Sequence, residues 1–421
     1  MTQMLELVAD SSRQAPEQLG HQGDLVIQGF RSLVIQWDSY SVWLPGRTSI
    51  EERAAMSSVM SKEDLLSSLQ SSILLILQRQ ILSLSLALMP SHLQKEPGKN
   101  LKLLLQSQSA LDHSLRQIEC IIDILCPQHL GIPNRTDDQH LKALKSFRLY
   151  GLKSKFSKLL SQELLNIFRK APELIQQLNL STDQNPLNQT DDPTCHPSGF
   201  SAEHTLISLA EHTLPALDMA ESMVDWLKGS DLDLAQEYWN FKLVTLDELV
   251  RLCKEMCLVM GNEKSAGNQL VREPVIRLAR LVIPIIKLSR LFLYKLSRRG
   301  INQRRLCLLY SEMSSDQIES LSHAAGNITR DLLQLLTLFT RADTAYGAVS
   351  SQQFTEKAQT LKDSFENPLL LSILYILPLI PETDGSPTQD SYRDWLVTWN
   401  TLRILAIHNF INCAKSFEND H

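Results

Sequence analysis

An all-α fold is what this 421-residue sequence predicts, on three observations. Glycine is scarce, with 15 residues in the whole chain, which argues against sheet. Alternating β-branched runs are almost absent. Apolar residues instead recur at steps of three and four, the spacing that puts them on one face of a helix.

Three stripes carry the prediction. Leu104, Leu111, Leu115, Ile118, Ile122 and Leu125 line one long helix. Ile318, Leu321, Ala325, Ile328, Leu332, Leu335 and Phe339 repeat in a heptad-like way. Ser314 followed by Gln317 offers a capping box at the start of that helix. Trp395, Trp399, Leu402, Ala406, Phe410, Cys413 and Phe417 mark a third. Read in order, helices are expected near 23–42, 62–88, 99–125, 138–150, 152–178, 201–228, 233–260, 268–299, 315–341, 351–377 and 390–417. Asn367-Pro368 should break the second-to-last, because proline ends or kinks a helix. Long helices with short connections pack as bundles. The expectation is therefore two antiparallel multi-helix bundles, packed together or joined by a polar linker. The stretch "NLSTDQNPLNQTDDPTCHPSG" has three prolines and no periodicity. It sets the division: an N-terminal bundle over 1–178, a linker over 179–200 and a C-terminal bundle over 201–421.

Two apolar segments invite a membrane reading. Ser71 to Met89 carries Gln78-Arg79-Gln80 at its centre, a costly charge in mid-bilayer. Pro368 to Ile380 is too short for a span and contains Pro378. Both read as buried helices, and no membrane span is expected. The N-terminus lacks a basic region and a long apolar core, so no secretory signal is recognised. Seven scattered cysteines with no Cys-x-x-Cys pair read as reduced thiols, pointing to cytoplasm or nucleus. Net charge is −6, so any basic partner-binding property must be local.

No reaction is legible. The chain lacks a P-loop, Gly-x-Gly-x-x-Gly, Gly-x-Ser-x-Gly and His-Glu-x-x-His, and no cofactor is implied. Cys253 and Cys257, one turn apart, could offer two thiolates, but no second ligand pair follows. The echo "AEHTL" places His204 and His212 on overlapping faces of one helix, best read as a solvated face. The tryptophan clusters read as core.

The candidate surface is the helix within "VREPVIRLARLVIPIIKLSRLFLYKLSRRGINQRR". Arg272, Arg277, Arg280, Lys287, Arg290, Lys295 and Arg298 fall in one sector of about 140°, with aliphatic residues opposite. Arg299 and Gly300 then supply a cationic, left-handed stop. Pro284 is expected to kink or interrupt the helix. This basic face is either solvated among acidic neighbours or open to an acidic protein, an anionic lipid or a phosphate. Without interleaved exposed aromatics it is weak as a nucleic-acid reader.

The phrases "IPIIKLSRLFLYKLSRRGINQRR", "LYSEMSS", "PLLLSILYILPLIPETDG" and "WLVTWNTLRILAIHNFI" resemble a family of uncharacterised helical proteins of rust fungi. More distantly, the order of features is similar to cyclin-D-interacting helix-bundle proteins of the vinculin/catenin-like type. That resemblance implies a bundle that binds other proteins' helices, although the acidic central insert of that type is missing here and a helical segment around 138–178 is added. The expectation is thus a non-enzymatic helical scaffold or regulator working through protein–protein contacts. The alternative is a peripheral binder of anionic surfaces through the basic face.

Overall fold

The computed structural model describes residues 2–38, 50–126, 135–182, 202–257, 269–297, 309–345, 349–380 and 389–417. Among these residues it is all-α, with no strand. The helices are α1 (Thr2–Asp38), α2 (Ile50–Val59), α3 (Lys62–Ser68), α4 (Leu74–Ala87), α5 (Pro90–Lys95), α6 (Pro97–Leu125), α7 (Ser146–Lys158) and α8 (Leu165–Gln177). They continue with α9 (Ala202–Lys228), α10 (Asp231–Gln236), α11 (Trp239–Met256), α12 (Glu273–Leu296), α13 (Ser315–Thr344), α14 (Ser351–Asp363), α15 (Glu366–Leu371) and α16 (Gln389–Ser416).

The chain forms two compact units, and they divide differently from the sequence expectation. One comprises Met1–Pro133 with Arg148–Lys228; the other comprises Asn134–Phe147 with Gly229–His421. Helix α9 thus belongs to the first unit, where α4 and α8 cover its apolar residues Leu209, Ala216, Ala220 and Met223. A polar stretch marks a connection, not necessarily a domain boundary. From residue 183 onward the expected linker lies outside the described residues, as do Trp43, Cys195, His196, Arg298, Arg299 and Gly300.

In the first unit, α1 packs on α6 and α8, and α4 packs on α6 and α9. The α6 stripe read from the sequence is buried from Leu104 to Leu125. Phe30 and Phe168 meet in this core with ring centroids 6.2 Å apart. Two glycines permit close approaches. A Cβ on Gly29 would stand 2.2 Å from the Gln108 side-chain oxygen, and one on Gly151 would stand 2.1 Å from the Trp226 ring. The Gln108 amide donates to the Val26 carbonyl at 2.8 Å. By length and composition, one helical run, Lys62–Ala87, could cross a membrane. Here Leu65, Leu69, Ile73, Leu77, Ile81 and Leu84 face the core of the unit. The opposite face exposes Leu75, Leu82 and Leu86.

The expected helices at 138–150 and 152–178 are replaced by a 3₁₀ turn (Gln139–Leu144), α7 and α8, with a π-helical stretch, Leu159–Leu164, joining the last two. The Asn134–Phe147 segment is held in the second unit by polar contacts that hydrophobic periodicity does not reveal. Lys145 is fully buried and donates to Asp231 at 2.7 Å and to the Ser311 carbonyl at 2.6 Å. Asp138 accepts from the backbone N–H of Ser146 at 2.8 Å and of Ser315 at 2.7 Å. It thereby satisfies donors at the starts of α7 and α13, which have no partners within their helices.

In the second unit α12 packs on α11 and α16, while α13 packs on α11 and α14. The core is aromatic. Phe292 stacks on Trp399 at 4.5 Å, and Phe339 on Phe354 at 5.5 Å. The capping box at Ser314 and Gln317 is present. The break expected at Asn367-Pro368 falls at Ser364-Phe365, and Pro368 sits in the first turn of α15, where its missing N–H costs nothing. Helix α12 runs through Pro284 without interruption. It ends at Leu296, short of the expected 299, where the buried Gln236 side chain donates to the Leu296 carbonyl at 2.5 Å.

Candidate interaction surface

The basic residues of α12 do not act alike. Arg272 is tied down at the helix start. Its guanidinium donates to the Ala342 carbonyl at 2.7 Å and its backbone N–H to Asp343 at 2.7 Å. Lys295 lies over the Tyr392 and Trp395 rings of α16, 4.8 and 5.5 Å from their centroids. Such cation–π contacts fix the ammonium against the protein's own surface. Arg290 pairs with Asp247 of α11, and Arg280 reaches Glu273 at 3.9 Å. Exposed pairs of this kind contribute about 0–1 kcal/mol each and remain available for exchange. Arg277 and Lys287 are exposed and meet no acidic partner among the described residues. The stripe therefore reduces to two open cations, two loosely paired ones and two engaged internally.

The outward face is also less uniformly basic than the sequence suggests. Leu291 and Tyr294 stand exposed within it. Arg277, Leu281, Pro284 and Leu288 recur at steps of four, three and four, so they share one side of the helix. Leu281, Pro284 and Leu288 form one wall of an apolar groove of about 400 Å³, and Leu402, Leu405 and Ala406 of α16 form the other. Lys287 and Asn409 complete its lining.

The groove draws on one exposed residue of the α16 stripe that the sequence assigns to the core. Leu402 is 48% exposed and Leu405 54% exposed, whereas Arg403 is 3% exposed. The buried face is Tyr392, Leu396, Trp399, Arg403, Ile407, Phe410 and Ala414. Arg403 is accommodated by donating to the Lys362 carbonyl at 2.9 Å and to Asn400 at 3.1 Å. Its guanidinium also lies 5.4 Å from the Phe365 ring centre and 5.7 Å from that of Trp399. Burial pulls its pKa down, while the nearby Glu366 and Asp363 oppose that shift. Periodicity assigns Leu402 to the core together with Ala406; Ala406 does pack against the core but Leu402 is exposed, so the sequence reading missed this groove. The visible signal was Arg403 itself, whose spacing from Trp399 and Phe410 matches the aromatic stripe.

The other sequence candidates resolve as structure. Among the described residues no group of three or more His, Cys, Asp or Glu side chains is placed to hold a metal. His212 meets Glu163 at 2.9 Å. Trp37, Trp226, Trp239 and Trp399 are buried. The Cys253–Cys257 contact polarises the pair. Cys253 donates to the Ala279 carbonyl at 3.3 Å, and its interaction with Cys257 holds the Cys257 thiol below its usual range, against burial and with help from Arg280, while Cys253 itself is raised.

Two domain families match the chain. Residues 62–228 match a domain of unknown function, DUF8723, and residues 230–412 match a domain of unknown function, DUF8721. Their meeting point coincides with the passage from Lys228 to Gly229 between the compact units. Neither curated proteins nor solved structures gave a match.

Proposed function

We propose that this protein is a non-catalytic scaffold or regulator whose second unit binds an amphipathic helix of a partner protein. The carrying observation is the α12/α16 groove, apolar along its walls and lined by the open cation Lys287, with the open Arg277 one turn before Leu281 on the same side of α12. A helix laid into such a groove contributes apolar side chains at i, i+3 or i+4, and i+7. Asp or Glu on its flank would complement the two cations, which favours specificity and encounter rate. Exposed aliphatic residues gathered in a groove are a common mark of protein interaction sites. The resemblance to helix-bundle proteins that bind other proteins' helices points to the same reading.

The test is site-specific photo-crosslinking from position 409, which also lines the groove, in the full chain in an extract of its source cells, followed by sequencing of the captured peptide. A segment with helical apolar spacing and flanking acidic residues is expected. Leu405→Glu should abolish capture, and Arg277→Glu with Lys287→Glu should lower its yield at least about tenfold, the scale of 1.4 kcal/mol. Capture that ignores these substitutions rejects the groove. The alternative anionic-surface reading wins instead if phosphatidylserine vesicles bind the chain, retain binding in Leu405→Glu and lose it in the charge-reversed variant.

A further inference from the structure

The first unit contains a cavity of about 560 Å³, within the range of small-molecule sites. Three helices build it. The last turn of α1 supplies Gln36 and Trp37, α2 supplies Ala55 and Met56, Met60 follows directly after α2, and α6 supplies His113, Arg116, Gln117 and Cys120. From the geometry we infer that this cavity binds a small aromatic molecule carrying an anionic or hydrogen-bond-accepting group.

Three observations support it. First, the site is held in advance of any occupant. Asp112 accepts from the Gln36 amide at 2.6 Å, from the Trp37 indole at 3.1 Å and from Arg116 Nε at 3.0 Å. One carboxylate thus fixes three lining side chains, and fixed side chains bind with less entropic loss. Second, the apolar lining is rich in sulfur. Cys120 Sγ lies 4.0 Å from Met56 Sδ, and Met60, just past the end of α2, adds a third sulfur to the lining. Polarisable sulfur makes favourable contacts with the edges of aromatic rings. Third, α2 packs on α6 without burying any of its own described side chains. It forms a cavity wall with little core of its own, and an occupant would supply the contacts it lacks.

The polar groups select the head group. Arg116 has N–H donors beyond the one given to Asp112, and His113 and Gln117 stand beside it on α6. Arg116 and His113 are exposed, whereas the acid that also lines the cavity, Glu119, is 2% exposed. An acceptor at the exposed side and a ring among the sulfurs satisfy this arrangement.

Two fluorescent probes test it in the full chain: 1-anilinonaphthalene-8-sulfonate, an anion, and N-phenyl-1-naphthylamine, its neutral relative. Both should bind saturably at one site. Ala55→Trp, which fills the cavity from α2, should weaken both by at least about tenfold, with Met60→Trp as a second filling variant and circular dichroism confirming helix content. Arg116→Gln should weaken the sulfonate at least about fivefold and the neutral probe less than about twofold, as expected for loss of a charge-assisted bond. Leu405→Glu, in the other unit, should change neither. The inference is overturned if folded filling variants bind both probes normally, if Arg116→Gln affects both alike, or if Leu405→Glu removes binding.

Discussion

Helices α6 and α16 look equivalent in sequence, and the two units use them differently. Each shows one apolar stripe at steps of three and four. In α6 that stripe is the buried face, from Leu104 to Leu125. In α16 the buried face is shifted to include Arg403, and two leucines of the helix, Leu402 and Leu405, face outward. The difference lies in what an arginine can be given. A planar guanidinium accepts burial when carbonyl, amide and aromatic partners surround it. Lys362, Asn400, Phe365 and Trp399 provide that set. Once Arg403 is inside, its neighbour Leu402 must be outside, and a groove results.

The sharpest way to break the comparison is a pair of leucine truncations. Leu111 of α6 is 1% exposed, so Leu111→Ala should cost about 2–5 kcal/mol, the transfer term plus the cavity left behind. Leu402→Ala should stay within about 0.5 kcal/mol, as exposed substitutions do. Urea titration followed by circular dichroism, with hydrogen exchange assigning each transition to its unit, measures both. Equal costs would mean that Leu402 is a core residue after all.

That contrast also shows what the sequence could and could not disclose. The all-helical class, the α6 and α13 stripes and the Ser314 capping box follow from local spacing, and local spacing is a property of one chain segment. Lys145 with Asp231 and Ser311, Asp138 with Ser315, and Arg403 with Lys362 are partners far apart in sequence, and no periodicity points to them. Lys145 falls in the expected helix 138–150 with nothing local to mark it, yet it is closed over by Asp231 and Ser311. The α12 cations were found, but their partners were not. Only the packed structure separates the engaged Arg272 and Lys295 from the open Arg277 and Lys287. The cavity of the first unit is likewise a property of three helices together, and each helix alone reads as ordinary.

The second prediction sharpens the comparison at Arg403. Removing its side chain leaves a void between aromatic rings and breaks charge-assisted bonds that contribute roughly 1.5–3 kcal/mol. Arg403→Ala should therefore destabilise the second unit by about 3 kcal/mol, by the cost of such bonds together with the lost packing. Arg403→Lys should recover little of it, because a lysine ammonium has no planar fork to stack on Phe365 and Trp399. The same urea and exchange measurements apply. Full rescue by lysine would show that charge alone, without planarity, seats this residue.

The smallest expected effect compares two helix starts. In the first unit Ser61 caps α3 with Asp64, at an exposed site. In the second, Ser314 caps α13 with Gln317 and is 5% exposed. Burial alone would make the second cap the costlier to lose. However, α13 has other acceptors at its first turn: Asp138 takes the Ser315 N–H at 2.7 Å, and the Arg135 carbonyl takes that of Asp316 at 3.3 Å. Ser314→Ala removes one partner of several, so its cost should stay near 1 kcal/mol, the middle of the range for such caps. Asp138→Ala in the Ser314→Ala background should then cost more than Asp138→Ala alone, because two neighbouring N–H groups would be left without partners in a site closed to water. Hydrogen exchange of the first turn of α13 reports both. Strict additivity would show that the two caps act independently.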